Sequence, residues 1–167
     1  MPDVISHASF IEALHSSAPA VDRAERMRLY AFLIGDWQMH GSIHQDDGGV
    51  HNGNGEIHAG WVLQGRALQD VWIFADVFYG TTLRVYDASI DAWHILWNDP
   101  MRQVYVRQLG RPQGADIVQI GKADSGAAMR WSFTEIKPDA FHWIGERSLD
   151  EGASWHLQAE YFARRVR

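Results

Sequence analysis

Apolar and polar residues change their rhythm once along this chain, near residue 35. Before that point the spacing is helical. Ser6 is placed to cap a stretch through Phe10, Ile11 and Leu14 that ends near Ser16-Ser17, and after Pro19 the residues Met27, Tyr30, Ala31 and Ile34 recur on one helical face. From Asp36 onward short aromatic and β-branched runs take over, each closed by a turn signal. The predicted strands are 37–45, 56–64, 68–74, 81–86, 93–98, 103–109, 116–122, 129–136, 141–149 and 155–164.

The punctuation between the runs is chemically specific. Asp46-Asp47-Gly48-Gly49 and Asn52-Gly53-Asn54-Gly55 flank a first loop, and Gly65-Arg66 makes a tight one. Asp124-Ser125-Gly126, Lys137-Pro138-Asp139 and Asp150-Glu151-Gly152 supply the glycine and proline positions that turns demand. Parallel strands need crossovers of about a dozen residues, which these links cannot provide. The runs therefore form an antiparallel meander, and a meander this long curls and closes to remove its edges. The expected fold is mainly β, a closed or nearly closed up-and-down barrel of about ten strands. It forms one domain over 1–167, with a helical segment at 1–34 and the barrel at 35–167.

Gly35-Asp36-Trp37, at the start of the first strand, resembles the Gly-x-Trp signature of lipocalins and their calycin relatives. The resemblance implies that Trp37 closes the barrel bottom, with Arg164 or Arg165 of the last strand packed across it. A group of uncharacterised bacterial calycin-like proteins is similar over longer stretches. These are Gly60-Trp61-Val62-Leu63-Gln64-Gly65-Arg66-Ala67-Leu68-Gln69-Asp70-Val71-Trp72, Gly80-Thr81-Thr82-Leu83-Arg84-Val85-Tyr86-Asp87, Arg130-Trp131-Ser132-Phe133 and Trp155-His156-Leu157-Gln158-Ala159-Glu160. Such a resemblance implies a fold and no activity.

Composition narrows the function. A hydrophobic share of 46% suits a full core, and the absence of cysteine removes disulfides, thiolate metal sites and a cysteine nucleophile. A formal charge of −6 argues against nucleic acid, since thirteen of the fifteen cations are arginines scattered along the chain. Only Arg164-Arg165-Val166-Arg167 cluster. The start of the chain carries no basic, apolar leader, and no window approaches the ~18 apolar residues of a membrane span, so a cytoplasmic protein is expected. A homodimer is left open.

Eight Trp, five Tyr and seven Phe are a heavy aromatic load. Alternation sets Trp93, Ile95 and Trp97 on one strand face, Trp131 with Phe133, and Phe141 with Trp143. These rings make a packed core or line a pocket for a small, flat, apolar molecule. The candidate lining residues are Trp72, Arg84, Tyr86, Trp97, Tyr105, Trp131, Trp143, Glu146 and Glu160. Arg84 is placed to pair with Asp70, because opposite charges inside a barrel are costly unless paired.

Glu56 and His58 share a strand face about 7 Å apart, the arrangement a general base needs, and the bacterial resemblance carries the same polar pair. Against that, Ile57, Ala59, Trp61 and Leu63 make the opposite face of the same strand the apolar one. His40 and His44 lie about 13 Å apart, too far to share an ion. No zinc, phosphate-loop or dinucleotide motif is present. The leading expectation is a carrier or sensor of a small hydrophobic, aromatic molecule with no cofactor. The alternative is a cofactor-free acid–base enzyme (isomerase, cyclase, hydratase or lyase) that uses His58 with Glu56, or Asp70. A haem barrel ligated by His142 or His156 comes after both.

Overall fold

The fold is described from a computed structural model covering residues 8–166. Ser9 caps the first helix, α1 (Phe10–Leu14), through a reciprocal capping box with Glu12. That start lies later than expected, and Ser6 lies outside the described residues. Phe10 and Ile11 are solvent-exposed, and the chain continues into a two-residue strand, β1 (His15–Ser16), paired with Val62 and Trp61.

A 3₁₀ turn (Val21–Arg23), the helix α2 (Ala24–Met27) and a second 3₁₀ stretch (Arg28–Leu33) follow. Here the burial period is three: Met27, Tyr30 and Leu33 are fully buried, where the helical spacing predicted Ala31 and Ile34. A 3₁₀ helix has three residues per turn, so positions three apart eclipse and point the same way.

Ten strands then wind around the barrel in chain order. They are β2 (Gly35–His44), β3 (Val50–Val62), β4 (Ala67–Phe74), β5 (Phe78–Asp87), β6 (Ala92–Asp99), β7 (Val104–Gln113), β8 (Asp116–Lys122), β9 (Ala128–Thr134), β10 (Ala140–Ser148) and β11 (His156–Arg165). Each pairs antiparallel with the next, and β11 returns to β2, setting Arg165 opposite Trp37. The barrel is closed, as the alternation predicted. No helix among the described residues is long and apolar enough to cross a membrane.

One turn signal was misleading. Asn52-Gly53-Asn54-Gly55 does not turn; it runs extended in β3 against Gly41, Ser42, His40 and Met39. The turn sits earlier, where Gln45 N donates to Gly49 O at 2.8 Å. Gly53 and Gly55 face the interior, where a Cβ would run into the Phe74 ring and the Met39 methyl respectively. Glycine in a strand marks such a close approach as readily as it marks a turn.

The N-terminal segment seals one end. The Trp37 indole donates to Leu33 O at 2.8 Å, and the Arg165 guanidinium lies 4.2 Å from the centre of the Trp37 ring. Arg165 also donates to the carbonyls of Ile34 and Phe32. Of the two arginines the resemblance suggested, Arg165 is the closing one; Arg164 alternates to the outside and is exposed.

Candidate functional site

The other end of the barrel is open. Its rim carries the connections 45–49, 75–77, 100–103, 123–127 and 149–155, and a cavity of ≈ 470 Å³ opens between them. Six rings from six strands bound it: Trp72, Phe78, Trp97, Trp131, Trp143 and Tyr161. They touch in a closed circuit, Trp72–Trp143–Trp131–Trp97–Phe78–Tyr161 and back to Trp72, with centroid separations between 5.5 and 6.4 Å. Most of these contacts are edge-to-face, the arrangement the ring quadrupoles favour.

Small residues on neighbouring inward positions let these rings lie along the wall. A Cβ on Gly80 would overlap the Trp97 ring, and one on Gly145 would come within 2.6 Å of the Trp143 ring. Laid flat, the rings leave the centre of the lumen open. This pairing of inward glycine and inward tryptophan on one or neighbouring strands is the signal in the sequence that marks the cavity.

The polar part of the site is graded by depth. Deep in the barrel, Arg84 pairs with Asp70 through its Nη1, with side chains only 2% and 0% exposed. Asp70 also accepts from Thr82 N at 3.1 Å. The Arg84 guanidinium rests against the rings of Tyr30 and Phe133, 5.2 and 5.6 Å away. Burial raises the phenol pKa of both Tyr30 and Tyr161, so both are neutral donors. Nearer the mouth, Arg102 pairs with Asp99 at 2.6 Å, Arg147 with Asp46 at 2.8 Å, and Arg130 with Glu146 at 2.7 Å.

Six of the residues expected to touch a ligand line this cavity: Trp72, Arg84, Trp97, Trp131, Trp143 and Glu146. Three do not. Tyr86 sits towards the closed end, its hydroxyl 2.7 Å from Asp91 and its ring against Trp93. Tyr105 points outward and is 54% exposed, because Val104 and Val106 take the inward positions of β7. Glu160 is on the outer face, 2.8 Å from His142. Phe78, Arg102, Arg147 and Tyr161 line the cavity without having been singled out.

The proposed catalytic pair is corrected more sharply. Ile57 and Trp61 take the interior positions of β3, which puts Glu56 and His58 on the outside, and the His58 side chain is 43% exposed. Burying Ile57 and Trp61 rather than a carboxylate and an imidazole sets that phase. Asp70 lies inside, but Arg84 and Thr82 N hold its two oxygens. Neither histidine considered for haem faces the lumen. His142 stacks on Phe162 at 4.1 Å on the outer surface, and His156 is exposed. Among the described residues no cluster of three His, Asp or Glu could hold a metal ion.

His58 has a definite electrostatic role on that outer surface. Its Nδ1 lies 2.6 Å from Asp36 and its Nε2 3.1 Å from Glu56. The hydrogen bonds, first to Asp36 and then to Glu56, raise its pKa above the ordinary 6.5, with slight burial opposing. A raised folded-state pKa adds stability that is complete below the unfolded value and fades as pH rises through the folded one. The pair is exposed, so the effect is small. An NMR titration should place the His58 midpoint above that of a free histidine, and Asp36→Asn should lower it. An unchanged midpoint in that variant would refute the bridge.

No family model matches the chain, and no curated protein matches it. Among solved structures the chain is similar to the S-type phycobiliprotein lyase CPES from Guillardia theta. The TM-score is 0.59 and the identity 13%, over 89% of this chain and 99% of that one. It is also similar to Rv2717c from M. tuberculosis, with a TM-score of 0.59 and 12% identity over 84% of this chain and 97% of that one. At such identity the likeness is one of fold alone, a closed antiparallel up-and-down barrel.

Proposed function

We propose that the protein binds one small, flat, aromatic molecule inside the open end of the barrel, as a carrier or sensor rather than as an enzyme. The observation that carries this reading is the closed circuit of six aromatic rings around a cavity of ≈ 470 Å³. Ligand sites of about 300–1,000 Å³, mostly apolar with a few fixed polar groups, are the usual kind. Support for binding over acid–base catalysis comes from the titratable groups. Glu56 and His58 face outward, and every carboxylate paired along the cavity wall or mouth has an arginine partner.

N-phenyl-1-naphthylamine, a neutral dye that brightens in apolar surroundings, tests the reading. It should bind saturably at one site and quench the tryptophan emission. Trp131→Ala should weaken binding by about tenfold, as expected for one lost aromatic contact face. Ala159→Phe, which fills the lumen from β11, should abolish binding while the protein still unfolds cooperatively. Unsaturable dye uptake, or full binding by the filled variant, would remove the cavity as the site.

A further inference from the structure

We infer that the occupant of this cavity is an aromatic acid. Its ring system lies within the tryptophan circuit, and its carboxylate accepts hydrogen bonds from Trp72 Nε1 and Arg84 Nε. The inference rests on the binding reading and specifies its ligand. Among the described residues, five buried side-chain polar atoms lack a hydrogen-bond partner. Three of the five belong to residues lining this one cavity: Trp72 Nε1, Arg84 Nε and Arg147 Nε.

All three are N–H donors. A buried donor without an acceptor is costly, so such groups in a folded protein call for a partner, and here the partner must bring oxygen or another acceptor. Charge does not oppose an anion: Arg84 pairs with Asp70, Arg102 with Asp99 and Arg147 with Asp46, and the lining carboxylate, Glu146, is engaged by Arg130. Arg102 and Arg147 are half-exposed at the mouth, where water screens them, so they grip nothing strongly.

The grip is deeper. Arg84 spends its Nη1 on Asp70, and its Nε is left over. Trp72 has its indole N–H buried in the same part of the barrel, and its ring lies 6.4 Å from Phe133, the residue that also stacks on Arg84. Hydrogen bonds from a guanidinium to a carboxylate are short and strong, and the indole adds a second donor of fixed direction. A purely hydrocarbon ligand would leave both donors unpaired.

Displacement of N-phenyl-1-naphthylamine by 2-naphthoate, 2-naphthamide and 2-methylnaphthalene at neutral pH tests this. The naphthoate should bind at least about tenfold more tightly than the methylnaphthalene, despite the cost of stripping water from its carboxylate. The amide, a neutral acceptor, should fall between them. Trp72→Phe keeps an aromatic side chain and deletes the N–H; the lost ring area weakens both ligands alike, so the naphthoate-to-methylnaphthalene ratio should shrink by about tenfold through the N–H alone. The paired variant Asp70→Leu/Arg84→Met, which leaves no unpaired charge, should abolish the preference.

An equal ratio in the parent, or a ratio unmoved by Trp72→Phe and by the paired variant, would overturn the acid while leaving the cavity reading intact. An amide as tight as the naphthoate would also overturn it, in favour of a neutral acceptor. Failure of the dye itself to bind would sink the cavity reading, and the acid with it.

Discussion

Trp37→Ala is expected to cost about 3–5 kcal/mol, the range for deleting a large buried aromatic side chain. Trp37 is only 1% exposed and holds three layers of the closed end together. Its indole is bonded to Leu33 O, its ring contacts Phe141 at 4.8 Å, and Arg165 covers its other face. Removing it leaves a cavity and frees an arginine whose remaining contacts are the carbonyls of Phe32, Ile34 and Pro138. For a domain of this size each kcal/mol moves the melting temperature by about 2–4 °C, so a drop on the order of 10 °C is expected. Urea unfolding measures the energy directly. A melting temperature within a degree or two of the parent would show that the plug, not Trp37, closes the barrel.

Asp70→Ala should be as damaging, for an electrostatic reason. It strands the Arg84 guanidinium in an interior with little water, and breaking a buried ion pair from one side costs about 3–5 kcal/mol. Thr82 N loses its acceptor as well. Replacing both partners with apolar residues, Asp70→Leu with Arg84→Met, should recover most of that loss, because the desolvation of two charges is removed along with their attraction. The double-mutant cycle in urea separates the two effects. A cost below about 1 kcal/mol for Asp70→Ala would mean that Arg84 is solvated in the variant and that the deep end of the cavity is wet.

Strand phase is marked locally at Ile57, which sits between Glu56 and His58, but not on the rest of β3, where Trp61 and Val62 are both buried, nor on β4, where Val71-Trp72-Ile73-Phe74 is one apolar run. It could not be read on β7. There Val104, Tyr105 and Val106 are consecutive apolar residues, so the local pattern does not say which of them turns in. Glycine was equally ambiguous, since Asn52-Gly53-Asn54-Gly55 has the composition of a turn and the geometry of a strand facing Phe74 and Met39. The Arg164 and Arg165 pair differs by a single step, and a single step exchanges the inner face for the outer.

What the sequence determined by itself was the architecture: ten short alternating runs with links too short for parallel crossovers, which can only meander and close. It also set the chemical stock of the interior, rich in tryptophan and holding the ion pair of Asp70 and Arg84. The tertiary structure alone decided which rings meet. The circuit from Trp72 to Tyr161 joins strands as far apart in the chain as β4 and β11, and no local pattern encodes a contact that exists only once the barrel has closed. The same closure sent Glu56, His58 and Glu160 outward, because burying Ile57, Trp61 and Tyr161 outweighs burying a charged or ring-polar group. It turned Tyr105 out by giving the inward positions of β7 to Val104 and Val106.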